Sequence, residues 1–177
     1  MPQNKNIEAG FWAFSLDRYA RPGVGELCIE LQETTGADVN IILMCLWVAQ
    51  SGRQLTPTTL KQMLSGDISA WHREAVVPLR AARRSIKVWN TGKDDPQVNA
   101  LRDKIKALEI EAERQQQRFL AQAVARHFET TELHRIDAAT PAILAIENLT
   151  GYFEVLTPNH QPFPHGQLKS LVEKCID

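Results

Sequence analysis

The residues best suited to chemistry lie in one short stretch, WHREAVVPLRAARRSIKVW, residues 71–89. It holds one acid, Glu74, and five cations that fall within about 100° of one another on a helical wheel. These cations are Arg73, Arg80, Arg83, Arg84 and Lys87. Guanidinium groups suit carboxylates and phosphates. Three interpretations follow: a face that is solvated or meets acidic parts of the chain, a docking surface for protein or nucleic acid, and a site for a small anion.

Asp38, Asn40 and His72 are the polar residues that an enzyme on this scaffold would use, provided that they converge in a cleft. Asp38 and Asn40 also fit the start of a helix, because their side chains accept hydrogen bonds from unpaired backbone N–H groups. If Asn40 instead lies inside the helix, it becomes a buried polar group that needs partners, for example Ser15 or Tyr19.

Sequence motifs for catalysis or metal binding are absent. There is no G-x-S-x-G, no phosphate-binding G-x-x-x-x-G-K-[ST] and no complete dinucleotide fingerprint. The histidines follow no metal-ligand spacing: His72, His127, His134, His160 and His165. The sequence therefore predicts no catalytic residue, no cofactor and no metal site.

Composition points to an ordinary globular protein. Of the 177 residues, 44% are hydrophobic and 23% are charged, and the net charge is −1. The charge is uneven, since residues 71–93 hold six Lys or Arg against one acid, whereas residues 94–177 hold nine against thirteen. A near-neutral total argues against a general nucleic-acid coat and makes nucleic acid the second choice of partner.

Cysteine usage and hydropathy predict a cytoplasmic location without a membrane anchor. The three cysteines form no CxxC pair, and the first residues lack a secretory signal. The longest apolar run, residues 41–49, is roughly half of the ~20 residues needed to span a bilayer.

Apolar residues recur at helical spacing throughout, which predicts an all-α bundle of about five N-terminal helices, a long helix and a C-terminal helical segment. Residues 39–50 are apolar nearly all round and belong at the centre of the bundle. A helix from Asp67 or Ser69 to about Trp89 is expected to bend at Pro78. The four tryptophans, which include Trp89, are expected in the core.

The segment NTGKDDP is the best candidate boundary, dividing a bundle core of residues 1–90 from an extension of residues 91–177 that packs on it within one domain. Residues 97–129 contain neither Gly nor Pro and are rich in strong helix formers. We expect a hairpin arm or a helix along the bundle there. Another helix is expected to begin at Pro141, and a short one to follow near the C-terminus.

The N-terminal half resembles a bacterial family of small helical proteins of unknown function. The resemblance covers residues 11–90 and rests on FWAFSLDRYARPGVGELCIELQETTGADVNIILMCLW followed by W…VVPLRAARRSIK. It implies a compact cytoplasmic helical protein and no particular activity.

The leading functional hypothesis is a non-enzymatic interaction module that docks an acidic protein through the basic face of Arg73 to Lys87. Self-association through residues 97–129 is a further expectation. Nucleic-acid binding through the same face is the alternative, and an enzyme using Asp38, Asn40 and His72 is a remote one.

Overall fold

A computed structural model describes residues 2–130, 140–156 and 163–176, all as helices and the turns between them. The first part comprises α1 (Pro2–Tyr19), α2 (Val24–Thr35), α3 (Val39–Gln50) and α4 (Pro57–Met63). It continues with α5 (Asp67–Trp71), a π-helical turn (His72–Val76) and α6 (Val77–Trp89). The remaining helices are α7 (Pro96–Thr130), α8 (Pro141–Leu156) and α9 (His165–Cys175). The all-α prediction is confirmed.

The apolar helix α3 lies at the centre of the bundle, as its sequence predicts. α1, α2, α7 and α8 all pack on it, and most of its side chains are buried. Local signals set its position: Gly36 ends α2 in the left-handed conformation, with φ of 75°. Asp38 then caps α3 by accepting a hydrogen bond from the backbone N–H of Asn40 at 2.9 Å.

The long helix of residues 67–89 is present, and it contains a π turn (His72–Val76) that ends two residues before Pro78, where a bend was expected. Proline has no N–H, and its ring crowds the carbonyl four residues earlier, here that of Glu74. Inside the π turn the Val77 N–H bonds to the carbonyl of His72, five residues back. Widening the helix by one residue makes room for the ring and fixes where His72 and the following arginines point.

α6 and α7 form an antiparallel hairpin whose distal part carries exposed apolar side chains. No α6 residue is fully buried. Trp89 is 57% exposed and lies under the ammonium group of Lys93, 3.3 Å from its ring centre. The expectation that Trp89 belongs to the core is wrong, because the hairpin extends beyond the helices that would have covered it. Self-association through residues 97–129 stays a prediction.

The chain after residue 94 folds back on the bundle. The C-terminal half of α7 buries Leu120, Ala121 and Val124, and α8 packs closely along α3. Asn148 on α8 accepts a hydrogen bond from the Leu55 N–H at 2.6 Å and donates to the carbonyls of Cys45 and Arg53, both at 3.2 Å. This one buried side chain ties α8 to α3 and to the loop before α4.

Candidate functional site

Two arginines of the predicted basic face are paired with glutamates of α7. Arg80 donates to Glu109 at 3.1 Å and to Glu113 at 2.6 Å, and its remaining nitrogen bonds to the side-chain oxygen of Gln32. Arg83 also donates to Glu109. These four residues, Arg80, Arg83, Glu109 and Glu113, form the arginine–glutamate cluster. Both arginines are largely shielded from solvent, so the cluster fastens α6 to α7 rather than offering free cations.

The other three cations of this face stay at the surface. Arg84 pairs with Glu33 of α2 at 3.1 Å, Arg73 pairs with its neighbour Glu74 at 3.1 Å, and Lys87 is exposed. Three interpretations of the basic face were open. Arg80 and Arg83 fit the first of them, in which the face meets acidic parts of the chain. Docking of an acidic protein and binding of nucleic acid stay predictions, with Arg73, Arg84 and Lys87 as the accessible groups.

The surroundings of the cluster shift the pKa values of its two glutamates in opposite directions. Burial raises the pKa of Glu109, but hydrogen bonds from Arg83 and Arg80 outweigh it, so that pKa lies below its ordinary value. Burial dominates at Glu113, whose pKa is raised although Arg80 opposes the shift. Arg80 therefore limits the rise in the pKa of Glu113.

A chain of buried side chains connects Asp38 to α7. Gln116 donates its amide nitrogen to Oδ2 of Asp38 and accepts from the side-chain nitrogen of Asn40 at 2.8 Å. Oδ1 of Asn40 accepts in turn from Gln117 at 2.8 Å. We call Asp38, Gln116, Asn40 and Gln117 the amide chain. Asn40 thus lies inside α3 with partners, but they come from α7, not from Ser15 or Tyr19 as the sequence suggested.

His72 joins the amide chain at its acidic end. Its Nδ1 lies 2.9 Å from Oδ2 of Asp38, and the two form an ion pair when the imidazole is protonated, although the N–H direction falls outside ordinary hydrogen-bond geometry. The backbone N–H of Asp38 donates to the hydroxyl of Tyr152 at 2.8 Å. Asp38 and His72 therefore meet directly, whereas the side chain of Asn40 is joined to Asp38 only through Gln116 and lines a different pocket from His72, so the three do not share the one cleft that the enzyme alternative required. The enzyme alternative itself stays a prediction, because a histidine and a carboxylate that can share a proton do not by themselves define a reaction.

The pH dependence of stability should report this ion pair. Burial lowers the pKa of His72, but Asp38 and then Gln116 outweigh it, with nearby Arg80 opposing them, so the pKa lies above its ordinary value. A raised folded-state pKa stabilises the protein fully below the unfolded value of about 6.5, and the contribution is lost as pH rises through the folded pKa.

We therefore expect the free energy of unfolding of the wild type, measured in urea, to fall relative to that of His72→Gln between pH 6 and pH 8.5. The glutamine variant keeps a polar side chain but does not titrate. Parallel curves for the two proteins would show that the pair does not couple to folding.

A pocket of about 530 Å³ opens between α1, α2, α6 and α7, with α3 as its floor. We call it the interhelical pocket, and its volume is within the range of sites for small organic molecules. Its apolar wall is formed by Trp12, Leu16, Tyr19, Ile29, Leu43 and Ile110. The arginine–glutamate cluster forms part of the polar wall, with Arg84 and Lys106 beside it. Leu16 and Tyr19 of α1 line this opening and remain exposed.

Two residues that line the interhelical pocket each carry a buried polar atom without a hydrogen-bond partner. The two atoms are the hydroxyl Oγ of Ser15 and the amide oxygen Oε1 of Gln117, both on side chains that are almost fully buried. Buried polar groups are nearly always paired, and each unpaired one costs about 1–3 kcal/mol. Sequence reasoning did not single out Gln116 or Gln117, although the polar break that Gln115 makes in the α7 apolar pattern was the available signal.

A second cavity, of about 430 Å³, lies at the other end of the amide chain and is lined by Asp38, His72, Gln116 and Tyr152. Among the described residues, no three His, Cys, Asp or Glu side chains are grouped so as to hold a metal ion. His134 and His160 lie outside the described residues.

Comparison with known proteins places these features in a family. Residues 10–120 match the model of a family described as proteins of unknown function (DUF2390). The chain belongs to this family. The DUF2390 match continues 30 residues past the end of the resemblance seen in the sequence, through most of α7, and includes every residue that lines the interhelical pocket.

Searches of curated proteins and of solved structures returned no similar chain. No helix of this DUF2390 protein, in the part of the chain that the structure describes, combines the length and apolar character needed to cross a membrane.

Proposed function

We propose that this DUF2390 protein is a non-enzymatic binding protein for a small organic molecule, which it holds in the interhelical pocket. The observation that carries the proposal is that two residues lining that pocket, Ser15 and Gln117, each hold a buried polar atom without a partner, Oγ and Oε1 respectively. A ligand group that bonds to them would remove the cost of leaving them unpaired, and that gain is available only in the complex.

The apolar wall supplies the second part of the argument. Several large apolar side chains in the described part of the protein are exposed, and four of them border this one opening: Leu16, Tyr19, Ile29 and Ile110. A bound apolar body would remove their surface from water, which contributes about 25 cal/mol per Å². Apolar walls with a few convergent polar groups are typical of small-molecule sites.

A thermal-shift screen of a broad library of small molecules tests the proposal. A ligand at 100 times its Kd stabilises the folded state by about 2.7 kcal/mol, which raises Tm by about 5–10 °C for a chain of this size. Ile110→Trp places a larger side chain in the pocket wall and should abolish the shift.

The matched control is Ile143→Trp on α8, because Ile143 and Ile110 are similarly exposed, 50% and 44%, and Ile143 lies outside the pocket. The control should keep the full shift. Compounds that stabilise both tryptophan variants as well as the wild type would contradict binding in this pocket.

We also propose that the protein works in the cytoplasm. The support is Cys28 and Cys45, which are both buried as free thiols. Free thiols are typical of a reducing compartment.

A further inference from the structure

The amide chain fixes which atom of Gln117 is left for a ligand. A carboxylate only accepts hydrogen bonds, so Gln116 must turn its NH₂ group toward Asp38. The carbonyl oxygen of Gln116 then has to accept from the NH₂ of Asn40, and the oxygen of Asn40 has to accept from the NH₂ of Gln117. The unpartnered atom of Gln117 is therefore its oxygen, an acceptor, and its orientation is imposed by a carboxylate three side chains away.

Ser15, which also lines the pocket, carries the second unpartnered buried atom, its hydroxyl oxygen. A ligand O–H or N–H group can donate to Gln117 Oε1, and a ligand hydroxyl can also accept from Ser15 Oγ. An ether or ketone oxygen, which only accepts, would leave Gln117 Oε1 unpaired. The buried end of the pocket thus selects for a donor.

The other end of the pocket is cationic. The lining residues of α7 recur on one face at helical spacing, namely Lys106, Glu109, Ile110, Glu113 and Gln117. Because the rise is 1.5 Å per residue, exposed Lys106 and buried Gln117 lie about 16 Å apart along the helix. Glu109 and Glu113 lie between Lys106 and Gln117 on the helix, and they accept hydrogen bonds from Arg80 and Arg83. Lys106 gives the outer end its cationic character, beside Arg84, which pairs with Glu33.

We propose that the interhelical pocket takes an elongated amphipathic anion whose anionic group lies near Lys106 and whose apolar end carries a hydroxyl or N–H group bonded to Gln117. The inference rests on the proposed function and adds the class of ligand. Its distinctive consequence is that Asp38, which does not line this pocket, sets the polarity that the pocket recognises.

Isothermal titration of the full chain with three probes tests this inference: decanoate, 10-hydroxydecanoate and 10-methoxydecanoate. For the wild type we expect the hydroxy acid to bind roughly tenfold more tightly than the methoxy acid, the effect of one hydrogen bond of about 1.4 kcal/mol. Gln117→Leu should remove the difference between these two probes while keeping the binding of decanoate. Lys106→Glu should weaken all three.

The variant Asp38→Asn tests whether Asp38 sets the orientation of Gln117. An asparagine at position 38 can still cap α3 with its oxygen while its NH₂ donates to Gln116, which reverses each amide in turn and presents the Gln117 NH₂ to the ligand. A hydroxyl oxygen and a methoxy oxygen can both accept from this NH₂ group, so the preference for the hydroxy acid should shrink several-fold relative to the wild type.

Equal affinity of wild type for the hydroxy and methoxy acids, or no binding of any decanoate, overturns the inference. The proposed function would stand or fall separately, on the unbiased screen with Ile110→Trp. If Asp38→Asn does not fold, Gln117→Leu decides: a preference for the hydroxy acid that survives in this variant overturns the role of the amide chain.

Discussion

Replacing Arg80 by methionine should lower the free energy of unfolding by about 3 kcal/mol, because it removes the partner of two shielded carboxylates. The Arg80 side chain is 16% exposed, and it is the ion-pair partner that the structure gives Glu113. Without it, burial leaves Glu113 with an uncompensated charge. Glu109 keeps Arg83. Urea unfolding followed by circular dichroism at pH 7 measures the loss.

Arg84→Met is the matched control, since Arg84 lies on the same helix and also pairs with a glutamate, but is 48% exposed. Exposed pairs contribute about 0–1 kcal/mol, so its effect should be small. The cost of Arg80→Met should shrink as pH falls, because protonation of Glu113, whose pKa is already raised, removes the buried charge. Equal costs for the two variants would show that the cluster does not hold α6 to α7.

The contrast between shielded Arg80 and exposed Arg84 also decides how docking through the basic face can be tested. A charge reversal at Arg80 cannot test docking, because unfolding and loss of binding would coincide. Reversal at Arg84 or Arg73 keeps the cluster intact, since both side chains are exposed and lie outside it. These two positions are therefore where the docking hypothesis should be examined.

Replacing Asn148 by leucine, which has the same number and branching of heavy atoms, should cost about 3 kcal/mol. The asparagine is fully buried, and its amide satisfies the Leu55 N–H as well as the carbonyl of Arg53. Leucine would leave these backbone groups without that partner, at about 1–3 kcal/mol each. Urea unfolding again measures the loss.

Its neighbour Glu147 provides the control, because it is exposed and bonds to Gln54 of the same loop. Glu147→Leu should change the free energy of unfolding by no more than about 0.5 kcal/mol. A cost below 1 kcal/mol for Asn148→Leu would mean that the loop between α3 and α4 is held by other contacts.

Local signals in the sequence determined most of the secondary structure. Gly36 ends α2, Asp38 caps α3, and Pro57 and Pro141 begin α4 and α8. Each signal acts through the backbone of a few neighbouring residues, so it can be recognised without knowledge of the fold. The all-round apolar character of α3 likewise fixed its central place, since no other position would bury every face of it.

The tertiary structure alone decided what the polar residues meet. A helical wheel placed Arg80 and Arg83 on one face, but only the hairpin brought Glu109 and Glu113 opposite to them. It also paired Asn40 with α7, exposed Trp89, and left Ser15 and Gln117 unpartnered in a pocket wall. The physical reason is that periodicity gives the direction in which a side chain points along its own helix, whereas partners, burial and cavities depend on which helix lies across from it. That choice is made by the packing of the whole bundle.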